Sequence, residues 1–221
     1  MQEVYRRRLS HYWRDRLWRI LQPPLPYILN PHEPLNFPLG RWNLYIGGAG
    51  RAVRGYVNLD LVPTPGVDVV ADAELLPFRD GQFARVECDA VLEHVHNPER
   101  VMDEIRRVMG SGGFAHLVTP FCHPFHEYPK DYRRFTPDGL AALASPLEVV
   151  AAGWRTGPTA TMLVFVLEYA KLLFPWRAWR VAAHGVLGWL LFPLRYLDSL
   201  FWNSPELNRL GNHCYIWGRK P

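Results

Sequence analysis

The sequence contains little cysteine and no long uncharged apolar run, and each absence excludes a class of protein. Three cysteines occur in 221 residues, and no two of them form a CxxC pair. A disulfide framework and a structural zinc site are therefore not expected, and a reducing, cytoplasmic compartment is favoured. No run reaches ~18 uncharged apolar residues, so no transmembrane helix is predicted. Arginines interrupt the N-terminal apolar residues, a pattern that is not typical of a signal peptide.

A strong excess of charge is also absent. The formal net charge is +4, with a sequence pI of about 9.1, which does not by itself indicate a nucleic-acid partner. Arginines concentrate in the first twenty residues, and residues 4–21 are predicted to be helical. This basic helix either packs its aromatic side chains on the core or lies on an anionic membrane surface. A proline-rich connector follows at 23–40, so residues 1–40 form a region that precedes the main domain.

From residue 41 to 221 the chain is predicted to be one α/β domain with a mostly parallel, seven-stranded sheet and helices on both faces. Helical spacing predicts a helix over Pro98–Met109, with a left-handed glycine C-cap in Gly110–Gly113, and a Thr-Pro-Asp start signal predicts a second helix over Thr136–Leu143. The predicted strands are Trp42–Ile46, Tyr56–Leu61, Val67–Val70, Ala84–Val91, Phe114–Thr119, Leu147–Trp154 and Asn212–Gly218.

A glycine-rich turn between the first two predicted strands indicates a ligand site. The segment LYIGGAGRAVRGYVNLDL places glycines after the first strand and Asp60 at the end of the second. In an open α/β sheet, ligands bind beyond the carboxyl ends of the strands. Asp60 lies about 13 residues from Gly47, whereas a dinucleotide fingerprint expects ~20. The GxGxxG pattern also fails at Ala52. A ligand with a ribose but no phosphate therefore fits better than NAD or FAD.

Several ordered motifs in the following segment carry a family resemblance. They are Asp72-Ala73, Leu76-Pro77-Phe78, Asp80-Gly81-Gln82-Phe83, Leu92-Glu93-His94 and Arg107-Val108-Met109 followed by Gly112-Gly113. In this order the segment resembles class I S-adenosylmethionine-dependent methyltransferases of the small-molecule methyltransferase-11 type. The resemblance covers roughly residues 42–145 and the last strand. It implies a Rossmann-like class I methyltransferase fold, an S-adenosyl-L-methionine cofactor and methyl transfer.

The resemblance also implies which residues bind the cofactor. The glycine turn would line the methionine part, the acid ending the second strand would hold the ribose diol, and Asp72 would meet the adenine edge. Capping of a turn is a plainer role for Asp72. Tyr45 and Ala49 depart from the family pattern, which usually has an acid and a glycine at these positions. The implied cofactor-binding residues are Gly47, Gly48, Gly50, Asp60, Leu61, Asp72, Ala73, Glu93 and His94.

The segment PFCHPFHEYPKDYRRFTPDGL, residues 120–140, is predicted to cover the same cleft and to carry the acceptor site. For a hydroxyl acceptor, methyl transfer needs alignment and a base. The candidate catalytic residues are His126, His123 and Asp131, and the candidate substrate-binding residues are Tyr128, Tyr132 and Arg134. A hydrogen-bonded lid without catalytic histidines is the alternative. His123, His126 and Glu127 have ligating side chains, but their spacing matches no known helix motif, so no metal is predicted.

Residues 161–202 form an apolar segment, rich in Leu, Phe and Trp, that also carries charges. It predicts a helical insertion at about 157–205, before the last strand. A helical cap over the core, a homodimer interface, and a membrane-surface contact or lipid-tail groove all remain open. Docking would place the protein peripherally on the inner face of the membrane.

The sequence thus predicts a methyltransferase that acts on oxygen of a small-molecule, glycan or lipid-linked acceptor. Two alternatives remain: a carbon methyltransferase of quinone or isoprenoid type, and a non-catalytic, membrane-associated scaffold with a degenerate methyltransferase fold. Methyltransferases that act on base amines resemble one another in an Asn/Asp-Pro-Pro-Tyr motif after the fourth strand. This chain has Leu-Glu-His-Val there, so no nucleic-acid substrate is expected.

Overall fold

A seven-stranded sheet with the order β3-β2-β1-β4-β5-β7-β6 organises the chain. The computed structural model describes residues 22–34, 37–127 and 129–221. The predicted basic helix at 4–21 lies outside this range. β1 to β5 run parallel, and β7 is antiparallel to both of its neighbours. The mostly parallel seven-stranded sheet is confirmed, with strands β1 (Asn43–Ile46), β2 (Val57–Asp60), β3 (Val69–Val70), β4 (Phe83–Asp89), β5 (Met109–Pro120), β6 (Glu148–Thr156) and β7 (His213–Arg219).

Side-chain caps define the starts of the first two helices. The Asn97 side chain accepts a hydrogen bond from the Arg100 amide, and Thr136 caps the next helix by accepting from the Gly139 amide. Proline occupies the first helical position in both cases, where its missing N–H costs nothing. The described helices are α1 (Pro98–Val108), α2 (Pro137–Leu143), α3 (Pro158–Leu172), α4 (Arg177–Leu191), a 3₁₀ helix (Phe192–Leu200) and α5 (Leu207–Leu210).

The glycine C-cap predicted after α1 is wrong. The helix ends at Val108, and Met109 is already extended, with φ −74° and ψ 137°, as the first residue of β5. The glycines instead allow a close approach of β5 to β4. A Cβ atom on Gly113 would lie 2.9 Å from the Gly110 carbonyl oxygen and 3.0 Å from that of Ala84. The 2.9 Å contact is shorter than Cβ atoms make in proteins, and the 3.0 Å contact would also require the strand to shift.

No helix connects β1 to β2, because only residues 47–56 separate them. The Asn58 side chain organises this short crossover. Its Oδ1 accepts from the Val53 amide at 2.8 Å, and its Nδ2 donates to the Tyr56 carbonyl at 3.1 Å. These bonds satisfy backbone groups that a helix would otherwise satisfy internally. The short crossover is therefore stable without a helix, and the glycine turn lies at the carboxyl end of β1.

The main core lies on one face of the sheet. The buried stripe of α1 and Leu140 of α2 pack against buried apolar side chains of β1, β4 and β5. Each fully buried side chain of this size contributes roughly 1.5–3 kcal/mol, which explains why the apolar spacing of α1 predicts it well. The stripe consists of Val101, Met102, Ile105 and Val108.

The second face is contacted by the proline-rich connector. The Phe37 ring lies 4.7 Å from Phe114 and 4.4 Å from Trp217, measured between ring centroids. The Arg85 guanidinium lies 4.5 Å above the Trp217 ring and donates to the Phe37 carbonyl at 2.6 Å. Helices were expected on both faces. Within the described residues, α1 and α2 both belong to the core of the first face, and extended chain covers this part of the second.

Buried charges attach the connector to the sheet. Glu33, which is 4% exposed, lies 2.8 Å from His116 Nε2 and 3.1 Å from Arg155 Nη1. The His116 ring stacks on Trp217 at 4.2 Å. Because a buried charge without a partner is costly, these contacts specify where the connector crosses the sheet.

The insertion between β6 and β7 is a helical extension whose first helix, α3, is capped by a side chain distant in sequence. Gly157 precedes α3 and offers no side-chain cap. Asp198 of the 3₁₀ helix supplies it, accepting from the Thr159 amide at 2.7 Å and from the Ala160 amide at 3.2 Å. None of the described helices is long and apolar enough to span a bilayer.

We expect acid to weaken the fold through Glu87 of β4. Burial opposes its ionisation, but the neighbouring His116, a hydrogen bond from Tyr56 and the charge of Arg85 outweigh burial and lower the pKa of Glu87 to about 2. A lowered pKa stabilises the fold above the ordinary value of 4.5, and this contribution is lost as the pH falls from 4.5 towards 2. Urea unfolding of Glu87→Gln at pH 7 and at pH 3 should show a loss relative to wild type on the order of 3 kcal/mol at pH 7 and a smaller one at pH 3. An equal loss at both pH values would contradict this role.

Candidate active site

A cavity of about 660 Å³ opens at the carboxyl ends of the parallel strands. Its wall combines the ends of β1 to β5 with parts of the connector, the loop after β5 and the 3₁₀ helix. Among the residues predicted to form the site, it is lined by Gly47, Asp60, Leu61, Asp72, Ala73, His94 and His126. The predicted residues that do not line it are Gly48, Gly50, Glu93, His123, Asp131, Tyr132 and Arg134. Tyr128 lies outside the described residues.

Asp60 holds the glycine turn against the end of β2. It is 4% exposed; its Oδ2 accepts from the Ala49 amide at 3.0 Å, and its Oδ1 accepts from the Val62 amide at 3.2 Å. A carboxylate oxygen can accept more than one hydrogen bond, so these contacts leave Asp60 able to accept from a ligand in the cavity. The same carboxylate therefore shapes the turn and presents negative charge to the cavity.

Backbone strain is concentrated at this wall. Ala49 and Ala90 are the non-glycine residues with positive φ in the described chain, at 48° and 54°, and both line the cavity. Such conformations cost on the order of 1–3 kcal/mol and cluster at functional sites. Ala49 thus adopts the conformation for which a glycine would be favoured. Gly47 has φ 83°, and a Cβ atom there would lie 2.1 Å from Val91 Cγ2.

Asp72 caps a turn and also lies at the cavity wall. Its Oδ1 accepts from the Glu74 amide at 2.9 Å, which caps a turn after β3. The residue is exposed and also contributes to the cavity wall. The turn geometry therefore does not exclude a contact with a ligand.

A third acid at the wall, Asp89, was missed by the sequence analysis. Tyr45 donates to Asp89 Oδ2 at 3.2 Å, and Arg155 Nη2 lies 3.7 Å from the same oxygen. Burial, reinforced by the negative charge of Asp89, raises the pKa of Tyr45, so the phenol stays protonated. The methyltransferase family that the sequence resembles usually has an acid at the position of Tyr45 in β1. In this protein Asp89, the last residue of β4, places a carboxylate beside that position. The available signal was the position of Asp89 at the end of a parallel strand.

Four imidazoles form a continuous row beside the cavity. Ring centroids are 4.8 Å apart for His94 and His126, 4.9 Å for His126 and His123, and 5.3 Å for His123 and His213. Burial and the neighbouring His126 lower the pKa of His123 to about 4, and burial and His123 lower that of His213 to about 3. Both are therefore uncharged at neutral pH. His213, at the start of β7, was missed because its strand is distant in sequence.

A buried ion pair shapes the loop that carries His123 and His126. The Asp131 side chain is 1% exposed, accepts from the His126 amide at 2.7 Å and pairs with Arg134. Burial opposes ionisation, but Arg134 and the His126 amide lower the pKa of Asp131 to about 2. Arg134 also donates to the Pro124 carbonyl at 2.7 Å. Its guanidinium is thus engaged within the loop rather than directed to the cavity as predicted.

Two further candidate residues lie away from the cavity wall. The Tyr132 ring is 50% exposed and contacts the His96 ring, with centroids 5.6 Å apart. Glu93 is fully buried, and neither carboxylate oxygen has a hydrogen-bond partner in the described part of the chain. Its Oε1 lies 3.6 Å from His94 Nε2. Burial raises the pKa of Glu93 to about 8.

Comparison with known proteins agrees with this geometry. Residues 55–117, which run from the end of the crossover into β5, match the family model described as a methyltransferase domain. Residues 55–117 thus resemble a methyltransferase domain. A demethylmenaquinone methyltransferase from Renibacterium salmoninarum is 34% identical over 83 residues, which is 37% of this chain and 35% of that protein. The chain thus matches about a third of the length of this curated relative.

Solved structures place the domain in the class I methyltransferase fold. A Galdieria sulphuraria protein described as a sarcosine dimethylglycine methyltransferase has a TM-score of 0.53 at 13% identity, covering 97% of this chain and 85% of its own. Phosphoethanolamine N-methyltransferase 2 from Haemonchus contortus, solved with S-adenosylhomocysteine, has a TM-score of 0.51 at 15% identity. The match covers 84% of this chain and 50% of that protein. The [4+2]-cyclase SpnF has a TM-score of 0.52 at 15% identity, and the match covers 84% of this chain and 76% of that protein. At these identities the likeness shows the fold alone.

We expect Arg134 to stabilise the loop after β5 that carries His123 and His126. Replacing it with alanine leaves the buried Asp131 carboxylate without its cation, so Arg134→Ala should lower the free energy of unfolding by about 3 kcal/mol. Urea unfolding at pH 7 measures this loss. Arg133→Ala is the matched control, because Arg133 donates to the His96 carbonyl at the surface and its loss should cost under about 0.5 kcal/mol. Equal losses for the two variants would contradict the assignment.

Proposed function

We propose that the protein is an S-adenosyl-L-methionine-dependent methyltransferase that methylates oxygen of a small-molecule, glycan or lipid-linked acceptor. The observation that carries the proposal is the cavity at the carboxyl ends of β1 to β4, lined by Gly47, Asp60 and Asp72 and by the imidazoles of His94, His126 and His213. The matching methyltransferase domain provides independent support.

The residues present fit the cofactor. Asp60 and Asp72 offer carboxylates for a ribose diol and an exocyclic amine, and Asp89 offers negative charge beside the glycine turn. A cavity of about 660 Å³ is within the usual range for sites that enclose a ligand of this size. When bound, the cofactor supplies a methyl group on a positively charged sulfur that leaves as a neutral thioether. The protein's own task is to align the acceptor and remove its proton.

The imidazole row supports an oxygen acceptor. A hydroxyl must lose a proton as it is methylated, and a neutral imidazole within hydrogen-bond reach is a suitable base. His126 lines the cavity and His123 lies behind it, so His126 is the loop histidine placed to contact the acceptor. The Asp131 side chain fixes the His126 backbone through a 2.7 Å hydrogen bond, which makes it a positioning residue.

The helical extension supports an acceptor with an apolar tail and a contact with the membrane surface. Its helices expose large apolar side chains, with Leu172 79% exposed, Leu200 73% and Trp176 68%. Leu25 and Leu29 of the connector and Arg195 of the 3₁₀ helix reach the cavity wall. The apolar surface is therefore adjacent to the cavity, and a lipid tail would have a path from one to the other. A homodimer interface on this surface is the alternative occupant.

A carbon methyltransferase of quinone or isoprenoid type is the second candidate. It is favoured by the similarity to a demethylmenaquinone methyltransferase over 83 residues. A carbon acceptor of this type would make the loop histidines dispensable. The two candidates therefore differ in their dependence on His123 and His126.

The cofactor site can be tested by calorimetric titration with S-adenosylhomocysteine. We expect micromolar binding by the wild type, at least tenfold weaker binding by Asp72→Ala, and no measurable binding by Asp60→Ala, whose loss also releases the glycine turn. Asp103→Ala is the control, because Asp103 is an exposed acid on α1, outside the cavity. Failure of a folded wild-type protein to bind would favour the non-catalytic scaffold.

The acceptor class can be tested by transfer of a labelled methyl group to hydroxyl compounds with and without an isoprenoid tail. We expect a lower KM for the tailed acceptor and a loss in kcat of at least 10²-fold for the double variant His123→Gln/His126→Gln, in the range assigned to general-base catalysis. His32→Gln, an exposed histidine of the connector, is the control. Full activity of the double variant on a quinone-type acceptor would instead support carbon methylation.

A further inference from the structure

We propose that Glu93, His94 and His126 form a binding site for one divalent transition-metal ion, with zinc as the expected metal. One ligand atom from each of the three residues lies within 4.8 Å of the others. Glu93 and His94 follow β4, whereas His126 comes from the loop after β5, so two separate segments converge on one point. The sequence analysis predicted no metal, because it considered only ligands within that loop.

The measured separation fits a shared ion. Glu93 Oε1 and His94 Nε2 are 3.6 Å apart, too far for a hydrogen bond. Two ligands that each lie ~2.0–2.1 Å from a tetrahedral ion are roughly 3.4 Å apart. These two atoms therefore need to move little to bind the same ion. His126 needs a larger adjustment of its side chain, which its position on a partly exposed loop permits.

The outer contacts of both imidazoles orient them for metal binding. His94 Nδ1 lies 2.5 Å from the Lys130 carbonyl oxygen, a contact that requires the proton on Nδ1 and leaves Nε2 with its lone pair. His126 Nδ1 lies 3.3 Å from the Pro124 carbonyl oxygen and 3.5 Å from Asp131 Oδ2. A backbone carbonyl or carboxylate on the far nitrogen is the usual partner of a metal-bound histidine. The loop therefore supplies both a ligand and the partners that orient the ligands.

Glu93 provides the independent observation that points to a ligand. Its carboxylate is fully buried, and within the described residues neither oxygen accepts a hydrogen bond. Buried carboxylates without partners are costly, and native proteins rarely retain them. Asp131 already pairs with Arg134, so this guanidinium is engaged elsewhere. A divalent cation between Glu93 and the two imidazoles would provide the missing partner.

The donor set identifies the class of metal. Two imidazoles and one carboxylate bind zinc in catalytic sites that keep a fourth position open, and the same set also binds iron(II). Magnesium and calcium prefer oxygen donors, so they fit less well. His94 and His126 line the cavity whereas Glu93 does not, so we infer that the open position faces the cavity. An acceptor hydroxyl or a water molecule could occupy it.

The test is direct metal binding by the full-length protein, with Zn²⁺ or Co²⁺ alone as the probe. After treatment with a chelator, the wild type should bind one equivalent of Zn²⁺ by calorimetry and show the visible absorption of a four- or five-coordinate Co²⁺ complex. Glu93→Gln and His126→Asn should each weaken Zn²⁺ binding at least tenfold and remove the Co²⁺ band. Circular dichroism establishes that each variant is folded.

His96→Gln is the matched control. His96 lies two residues from His94 but contacts the Tyr132 ring, outside the candidate ligand set. It should bind Zn²⁺ as the wild type does. The proposal is overturned if the folded wild type binds no metal, or if Glu93→Gln and His126→Asn bind one equivalent as tightly as the wild type and the His96 control.

This inference stands apart from the proposed methyl transfer. If His126 is a metal ligand, it acts on the acceptor through the ion rather than as a free base, and both roles predict lost turnover. Metal stoichiometry and Co²⁺ absorption do not depend on the cofactor or the acceptor. Metal binding with no S-adenosylhomocysteine binding would therefore sustain this site and reject the methyltransferase, and the reverse result would reject only the metal site.

Discussion

The buried contact of Glu33 with His116 and Arg155 is the constraint on which the rest of the structure depends. It attaches the proline-rich connector to the sheet face opposite the main core, and Asn30 reinforces the attachment by donating to the Trp154 carbonyl at 2.8 Å. The connector then supplies Leu25, Tyr27 and Leu29 to the cavity wall. Arg155 extends the same network to Asp89 beside the glycine turn. The segment that covers the sheet and the site that would bind a ligand are thus parts of one electrostatic network.

The short crossover after β1 has a consequence for the site. Without a helix there, the glycine turn depends on side chains for its shape, and Asp60 and Asn58 supply them through hydrogen bonds to backbone amides. Ala49 has its positive φ of 48° within this compact turn. The carboxylate proposed to meet the ribose also holds the turn, so cofactor binding and local structure are coupled at Asp60.

The second wall of the cavity is assembled from segments that are distant in sequence. His94 follows β4, the loop after β5 brings His126, and β7 begins with His213; Glu93 and His123 neighbour these residues without lining the cavity. The Asp131–Arg134 pair folds that loop so that its histidines meet the end of β4. The result is a row of four imidazoles beside a buried carboxylate, an arrangement that can serve proton transfer, metal binding or both.

The sequence by itself determined the fold class, because alternating apolar strands, capped helix starts and the ordered motifs of residues 72–113 act over short distances along the chain. It also predicted Gly47 and Asp60 at the cavity, from the rule that ligands bind at the carboxyl ends of parallel strands, and Asp72 through the family resemblance. The glycine C-cap failed because Gly113 is required by the approach of β4, a contact that local spacing does not record. Only the tertiary structure decided that Arg134 holds the loop, that Asp89 supplies the acid missing from β1, and that Glu93 and His94 lie beside His126. Each of these depends on which segments the sheet order brings together.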